Sequence, residues 1–284
     1  MHGLRHEFSI KDLCRVLRVG RSTYYKHFNG KESPRTVENR TIMGFMLRLY
    51  GSHSKRIGVH KTKHLLEREY GIGISIGRVY RLMKRMDLPR PSPSKPKASK
   101  SKADDKGECL DRVNRNFSVD EPDRIWCSDF TYIWTDGGWA FLCVVIDLFS
   151  RKVVSWSLMK RHTCALVCEA FGKAFWRRGA PKGLTFHSDR GGEYSSSEFR
   201  RLLDSCSVVQ SFSAPGCPYD NSVCESFFKY LKKEETDRYR YRTFEQLRVS
   251  MLGYIDGYYN SRRLHSSIGY MTPNEKDASF YRKG

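Results

Sequence analysis

The run of β-type segments that begins near residue 124 constrains the fold of this chain more than any other feature. Three apolar, β-rich runs follow one another with short turns between them: RIWCSDFTYIW, WAFLCVVIDLFS and KVVSWSLMK. Such spacing, with a Gly-rich turn at Thr135–Gly138, predicts an antiparallel meander. Helical and β-type stretches then alternate from TCALVCEAF to DNSVCESFFKYLKKE. This order predicts an α/β fold, in which helices flank a sheet of three antiparallel and further parallel strands.

Three acidic residues stand in unlike settings within this region. Asp129 lies inside an apolar strand, Asp189 ends the strand LTFHSD before a Gly-Gly turn, and Glu225 lies on a helix. An acid in an apolar strand is costly unless a cation or hydrogen bonds compensate it, and three converging acids repel one another without metal. The three acids therefore predict a carboxylate cage for divalent metal. Acids with a purely structural role are the alternative.

Four side chains near these acids are candidates for a supporting role. His187 shares the strand face of the second aspartate and could touch phosphate, orient a ligand or be a core histidine. Asn221 stands at the start of the glutamate helix, where it could cap the helix or brace the glutamate. Lys229 and Lys232 are expected to contact DNA phosphate, because a helical lysine beside acids stays charged. A solvated basic face is the alternative for both lysines.

The charge of the chain is strongly positive and unevenly distributed. Lys and Arg number 51 against 31 Asp and Glu, which gives a net charge of +20. Residues 1–102 hold 24 basic and 7 acidic side chains, so +17 of that charge lies in the N-terminal third. A polyanionic partner is therefore expected to bind mainly there. A solvated basic surface without a partner is the alternative.

The N-terminal third contains two helix pairs, each broken by a glycine turn. Residues 1–40 read as one helix-turn-helix, with Ser9 as a helix cap, and residues 41–88 as a second, with Ser75 as a cap. An ordinary helical hairpin is the alternative, and Tyr24 could equally belong to a core. The candidate DNA-binding residues are Arg21 and Tyr24 in the first pair and, in the second pair, four residues that we expect to contact mainly phosphate: Arg78, Arg81, Lys84 and Arg85.

A basic linker divides the chain. Residues 89–118 are rich in Pro, Ser and Lys and hold almost no large apolar side chain that could pack a core. The α/β core follows at 119–240, with a helical and basic extension at 241–284, and we expect this core to keep its fold without residues 1–88. In the extension, one basic and aromatic cluster either binds DNA or packs across the core: Tyr258, Tyr259, Asn260, Arg262, Arg263 and His265.

The cysteines and the N-terminus argue against an exported or membrane protein. Nine cysteines occur without a CxxC pair, and the nearest two are Cys164 and Cys168 on a predicted helix. They are typical of reduced, mostly buried thiols. No run of 18 apolar residues is present, and the first residues lack the apolar core of a secretory signal. We expect a cytoplasmic protein without membrane contact, associated with the nucleoid when bound to DNA.

Five segments together resemble a known family: YGSHSKRIGVHKTKHLLEREYGIGISIGRVYRLMKRMDL, WCSDFTYI, HSDRGGEYSS, DNSVCESFFKYLKKE and YIDGYYNSRRLHSSIGYMTP. They span most of the chain from Tyr50 to Pro273. With these segments, the chain resembles the transposases of the large bacterial insertion-sequence family related to retroviral integrases. It is most similar to the product of the second reading frame, OrfB, of such mobile elements.

The resemblance implies a ribonuclease H-like integrase catalytic core behind the helix-turn-helix region. Asp129, Asp189 and Glu225 match the catalytic acids of the DDE motif, which bind two Mg²⁺ ions, and Mn²⁺ is expected to substitute. Carboxylate oxygens suit these hard cations. Lys232 occupies the basic position seven residues after the glutamate. Because the chain has no paired His and Cys zinc module, recognition of DNA ends is expected from the N-terminal helices.

The function implied is transposition, that is, metal-dependent DNA cleavage and strand transfer at the terminal inverted repeats of an insertion element. The implied partners are double-stranded DNA of the element ends and the target, further copies of the chain as a homo-oligomer on DNA, and the upstream-frame protein, to which the active product is often fused. One alternative is a helix-turn-helix DNA-binding regulator with an inactive nuclease-like core. Another is a ribonuclease H-type enzyme that cuts RNA in hybrids.

Overall fold

A computed structural model describes residues 3, 6–28, 32–89, 119–214 and 221–282. The chain divides into two compact units. One comprises residues 1–55 and 62–89, and the other comprises residues 56–61 and 90–284. Apart from residue 89, the predicted linker lies outside the described residues.

Five helices make up the described part of the N-terminal third. They are α1 (Ile10–Val16), α2 (Arg21–Phe28), α3 (Pro34–Ser52), α4 (Val59–Tyr70) and α5 (Ile76–Arg85). Ser9 and Ser75 cap α1 and α5 as expected, because their hydroxyls accept hydrogen bonds from the backbone N–H groups of Asp12 and Arg78. The helices of both predicted pairs are therefore present, whereas their role as DNA-reading pairs stays a prediction.

Apolar side chains from these helices form the interior of the first unit. Met46 and Leu49 of α3 and Val79 and Met83 of α5 are almost completely buried. Tyr24 of α2 is also buried, with 5% of its surface exposed, and it meets the ring of Tyr25 edge to face. This burial supports the core alternative for Tyr24, and its binding to DNA stays a prediction.

The second unit is built on a five-stranded mixed sheet. The strands are β1 (Ile125–Thr135), β2 (Gly138–Asp147), β3 (Val153–Met159), β4 (Thr185–Ser188) and β5 (Val209–Phe212). Their spatial order is β3-β2-β1-β4-β5, where β1, β2 and β3 are antiparallel neighbours and β4 and β5 run parallel to β1. The expected meander with added parallel strands, a ribonuclease H-like sheet, is confirmed.

Helices cover both faces of this sheet. They are α6 (Cys164–Arg177), α7 (Gly192–Ser195), α8 (Ser197–Ser205), α9 (Ser222–Glu234), α10 (Phe244–Tyr254) and α11 (Pro273–Tyr281). Because side chains alternate along a strand, Trp126 packs with the apolar residues of α6 and α8 on one face, and Cys127 packs with those of α9 and α10 on the other. No helix among the described residues is long and apolar enough to cross a membrane.

The basic and aromatic cluster after α10 packs across the core. Tyr258, Tyr259 and Arg263 are each less than 5% exposed. Asn260 holds the segment against the sheet, because its side chain accepts a hydrogen bond from the backbone N–H of Val153 and donates one to the same residue's carbonyl, both at 3.0 Å. Of the two alternatives for this cluster, packing is therefore the one that the structure supports.

Candidate active site

The two aspartates lie near the end of β4, which pairs in parallel with β1. β1 and β4 pair in parallel as far as Cys127 opposite His187, and Asp129 and Asp189 each follow these two residues by two positions. Asp129 lies in the middle of β1, beyond its pairing with β4 and opposite Val144 of β2. Beyond β4, this edge of β1 has no further strand partner among the described residues.

Helix α9 brings the glutamate to the same edge. Glu225 lies in the first turn of α9 and is exposed, whereas its neighbour Cys224 is buried with its sulfur 3.3 Å from that of Cys127 on β1. The side-chain amide of Asn221 donates a hydrogen bond to the carbonyl of Ser128, at 3.2 Å. These two contacts fix the start of α9 against the strand that carries the first aspartate.

The charges of Asp189 and Glu225 act on the carboxyl group of Asp129. Burial raises the pKa of Asp129 to about 7, and the charges of Asp189 and Glu225 raise it as well. A hydrogen bond from the backbone N–H of Phe130, at 2.7 Å, and the charge of Lys232 oppose this rise. Burial also raises the pKa values of Asp189 and Glu225. The structure thus brings together the three acids that the sequence singled out.

The donor set fits a hard divalent cation. All three groups are carboxylates, whose mutual repulsion a cation would relieve. The side-chain oxygen of Asn221 is buried and has no hydrogen-bond partner among the described residues, so it can accept from a metal-bound water. The three carboxylates are not within 4.8 Å of one another as a set. This spacing is compatible with a site for two ions in which Asp129 would contribute to both, because Asp189 and Glu225 would then not need to bind the same ion.

Two further side chains near Asp189 were missed by the sequence reasoning. Glu193 lies 3.2 Å from Nδ1 of His162, and the ring of His162 lies against that of Phe130, with 4.2 Å between centroids. After burial, the charge of Glu193 is the next cause that raises the pKa of Asp189, and His162 opposes it. The position of Glu193 directly after the Gly-Gly turn could have indicated that it lies near Asp189. Nothing in the sequence around His162 indicated its contact with Glu193.

The supporting residues divide between the site and the core. His187 is 1% exposed and lies between the hydroxyls of Ser211 and Ser213, at 2.9 and 3.2 Å, so it is held as a core histidine. Asn221 occupies the cap position of α9 but makes no capping hydrogen bond. The capping alternative is therefore wrong, and the bond to Ser128 supports the bracing alternative.

The predicted phosphate-contacting residues lie mostly on exposed faces. Lys229 and Lys232 of α9 are exposed, and the ammonium of Lys232 lies 5.7 Å from the centre of the Tyr132 ring. Arg21 on α2 is exposed, as are three basic residues of α5: Arg81, Lys84 and Arg85. Their binding to DNA stays a prediction.

Arg78 is the exception on α5. Its guanidinium lies 2.7 Å from the carboxylate of Glu38 and donates hydrogen bonds to the side-chain oxygen of Asn39, at 3.0 and 2.8 Å. Arg78 therefore joins α5 to α3 within the first unit. Its predicted phosphate contact would have to compete with these bonds.

A buried network of charges at the end of α9 was not predicted. Glu234 is paired with Arg263 at 3.0 Å and with Lys61 at 3.4 Å, and it accepts a hydrogen bond from the Tyr254 hydroxyl at 3.0 Å. Burial opposes ionisation of Glu234, but Arg263 and Lys61 lower its pKa. Burial and the charge of Arg263 lower the pKa of Lys61 to about 8. In the sequence, LKKEE is indistinguishable from a solvated helix end.

Similarity to known proteins extends over most of the chain. Two overlapping stretches of the chain, residues 119–218 and 207–273, match the integrase core domain. The chain is 34% identical over 271 residues to transposase InsF for insertion sequence IS3A of Escherichia coli strain K12, covering 95% of this chain and 94% of that protein. It is 31% identical over 283 residues to the transposase for insertion sequence element IS629 of Shigella sonnei, covering 98% and 94%. A solved catalytic core domain of BIV integrase aligns with 57% of this chain and 97% of its own length, at 20% identity and a TM-score of 0.43.

Proposed function

Because the chain belongs to the family of insertion-sequence transposases that carry an integrase core domain, we propose that it cleaves DNA at the ends of an insertion element and joins them to a target. The observation that carries this proposal is the arrangement of Asp129, Asp189 and Glu225 at the edge of β1 beyond β4, where burial and the charges of the other two acids raise the pKa of Asp129. The reaction proposed is polynucleotidyl transfer at terminal inverted repeats.

In this proposal, the three acids hold two Mg²⁺ ions, which Mn²⁺ can replace. Asp129 is assigned to both ions, and Asp189 and Glu225 to one each. When bound, two such ions activate an oxygen nucleophile and stabilise the leaving oxygen of a phosphodiester. Water as the nucleophile would nick the element end, and the freed 3′-hydroxyl would then attack the target strand.

The protein contributes by holding these acids in place before metal and DNA arrive. The backbone N–H of Phe130 donates to Asp129, and that of Gly191 donates to Asp189 at 3.0 Å. Asn221 ties the start of the glutamate helix to β1. Groups that are ordered in advance lose less entropy when the reaction geometry forms. Lys229 and Lys232, exposed on α9, would bind the phosphates beside the scissile bond.

Recognition of the element ends is assigned to the N-terminal helices. Exposed Arg21 on α2 and exposed Arg81, Lys84 and Arg85 on α5 supply the positive charge that holds duplex DNA. We assign residues 1–40 and 41–88 to this role, residues 89–118 to a linker, residues 119–240 to catalysis and residues 241–284 to an extension of the catalytic core. Because transposition must hold two DNA ends at once, a homo-oligomer on DNA is part of the proposal. So are a cytoplasmic location and an interaction with, or fusion to, the upstream-frame protein.

A strand-transfer assay tests the proposal. The substrate is a labelled duplex that carries the inverted repeat flanking the gene, incubated with Mg²⁺ and a target plasmid. We expect the unaltered chain to nick and join this DNA, and Glu225→Gln to bind it equally well without detectable product. Glu245→Gln is the matched control, because Glu245 is an exposed residue of α10 with 69% of its side chain accessible. It should retain full activity.

Two outcomes would contradict this function. Binding of the repeat without any metal-dependent cleavage by the unaltered chain would favour the regulator. Cleavage confined to the RNA strand of a hybrid would favour a ribonuclease H-type enzyme.

A further inference from the structure

Three metal-ligating side chains meet at the start of α6, outside the set of three acids. Cys164 and Cys168 lie one turn apart on α6, with their sulfurs 3.5 Å apart, and Glu198 lies in the first turn of α8. One ligand atom from each residue lies within 4.8 Å of the other two. Residues four apart on a helix share one face, so both thiols point towards the same neighbour. Two elements distant in sequence thus present one ligand set.

The chemistry of this set differs from that of the three acids. Mg²⁺ prefers oxygen ligands, whereas Zn²⁺ takes thiolates at about 2.3 Å and carboxylate oxygen at about 2.0–2.2 Å in tetrahedral sites. Two sulfurs on one tetrahedral Zn²⁺ would lie about 3.8 Å apart by this geometry. The observed separation of 3.5 Å is within a few tenths of an ångström of that value. The two thiols therefore need only a small movement to bind one ion.

The second helix is held in place by a hydroxyl that also contacts the thiol pair. Ser196 caps α8 by accepting a hydrogen bond from the backbone N–H of Phe199 at 3.2 Å, and it donates to the carbonyl of Glu193 at 2.8 Å. Its hydroxyl lies 2.9 Å from the sulfur of Cys164. This contact holds Cys164 against the first turn of α8, where Glu198 lies.

A second thiol pair in the same unit differs from this set in its burial and in its lack of a third ligand among the described residues. Cys127 and Cys224 lie 3.3 Å apart, but both are buried in the apolar core, and no third ligand completes a set around them among the described residues. Cys164 and Cys168 are instead partly exposed, and Glu198 is exposed, so an ion can reach all three. Access and a third ligand distinguish the two pairs.

We propose that Cys164, Cys168 and Glu198 bind one Zn²⁺ per chain, with water or the Ser196 hydroxyl in the fourth position. On binding, the two thiols release their protons to solvent and the carboxylate binds in its ionised form. The ion joins α6 to α8, and α8 follows the segment that begins at Asp189. The ion therefore stiffens the segment that carries the second acid. The proposal stands independently of transposase activity.

Cobalt substitution tests the site in the full-length chain. The protein is reduced, freed of metal with a chelator and titrated with Co²⁺, which gives a thiolate charge-transfer band when cysteine binds it. We expect this band to saturate at one Co²⁺ per chain, to show the visible absorption of tetrahedral cobalt, and to disappear when Zn²⁺ is added. The three acids have no sulfur ligand, so Glu225→Gln should leave the band unchanged.

Substitutions assign the band to its ligands. Cys164→Ser and Cys168→Ser should each abolish it, and Glu198→Gln should weaken Co²⁺ binding by at least the roughly 10- to 100-fold that loss of an outer-shell partner costs. Because Glu198 is exposed, that variant should fold normally, which a thermal melt checks. Cys206→Ser is the matched control, since Cys206 is also a partly exposed free cysteine, and it should retain the band.

Three results would overturn the proposal. The first is an unaltered chain that gives no thiolate band with Co²⁺. The second is a band that survives in the double variant Cys164→Ser, Cys168→Ser. The third combines two measurements: a thiol count showing that these two cysteines form a disulfide in the purified protein, and a Co²⁺ titration showing that they bind no Co²⁺ after reduction.

Discussion

Arg263 and Glu234 form a buried ion pair, with Nε of the arginine 3.0 Å from the carboxylate. The guanidinium also lies over the ring of Tyr230, 3.8 Å from its centroid, and only 2% of the arginine side chain is exposed. Because Glu234 is the last residue of α9 and Glu225 lies in its first turn, the pair anchors the far end of the helix that carries Glu225.

Removal of this arginine should strongly destabilise the protein. Arg263→Met leaves a buried carboxylate with a weaker set of partners, and breaking a buried ion pair typically costs about 3–5 kcal/mol. The free energy of unfolding, measured with a chemical denaturant, should fall by that amount. Arg240→Met is the control, because Arg240 pairs with Asp136 while 84% of its side chain is exposed, and an exposed pair contributes about 0–1 kcal/mol. Equal losses in the two variants would contradict the anchoring role.

The sheet and its acids were predictable because local patterns determine them. Asp129 is conspicuous because it is an acidic residue within an otherwise apolar strand. The alternation of strands and helices then predicts that Asp189 ends a strand and that Glu225 lies on a helix. The network around Glu234 was not predictable, because its partners are distant in sequence: Lys61 precedes the core and Arg263 follows it. Composition there resembles a solvated helix end, and only the fold shows that these charges are buried.

The same reason explains why the sequence did not indicate that residues 56–61 pack with the core. Residues 56–61 belong to the second unit, although the sequence grouped them with the N-terminal helices. Arg56 donates to the backbone carbonyl of Glu234 at 3.0 Å and pairs with the carboxylate of Glu235. The expectation that the core keeps its fold without residues 1–88 therefore needs revision, because that deletion removes Arg56 and Lys61 from a buried network.

Arg56→Met should reproduce part of the destabilisation expected from deleting residues 1–88, namely the part that comes from losing the ion pair with Glu235. The side chains of Arg56 and Glu235 are 10% and 8% exposed, so the substitution should lower the free energy of unfolding by about 3–5 kcal/mol. Arg40→Met is the matched control, because its partner Glu32 and Arg40 itself are largely exposed, and it should change stability by about 0–1 kcal/mol. If Arg56→Met is as mild as its control, residues 56–61 are dispensable for the core.

The stability of the metal-free protein should depend on pH through Asp129. Its pKa is raised to about 7 from an ordinary value of 3.8, so between these values the folded state holds a proton that the unfolded chain has released. Stability from this group is therefore lost as the pH rises from about 4 to about 7. Asp129→Asn removes the titration, so the variant should gain stability relative to the unaltered chain over that range. A difference that is independent of pH would contradict the raised pKa.

Metal binding should show the complementary trend. Mg²⁺ binds the ionised carboxylate, so its apparent affinity should increase with pH and level off above about 7, the raised pKa of Asp129. Calorimetric titration of the chain with Mg²⁺ at several pH values measures this directly. An affinity that stays constant between about pH 5 and about pH 8 would show that Asp129 is already ionised in the free protein.

Asn221 should affect catalysis more than DNA binding. Its amide donates to the Ser128 carbonyl, so Asn221→Ala leaves that carbonyl without this bond and frees the start of α9, at a cost of about 1–3 kcal/mol in stability. A shift of about 1 Å in a reacting group can reduce the rate by about a hundredfold, and a reduction of this size is expected in DNA cleavage.

Ser222→Ala, at the next position, is the control. Because Asn221 is buried whereas Lys229 and Lys232, the residues of α9 proposed to bind phosphate, are exposed, the affinity for the inverted repeat should be unchanged. An equal loss of affinity and of cleavage rate would show that Asn221 supports the fold as a whole and has no specific role in positioning the glutamate.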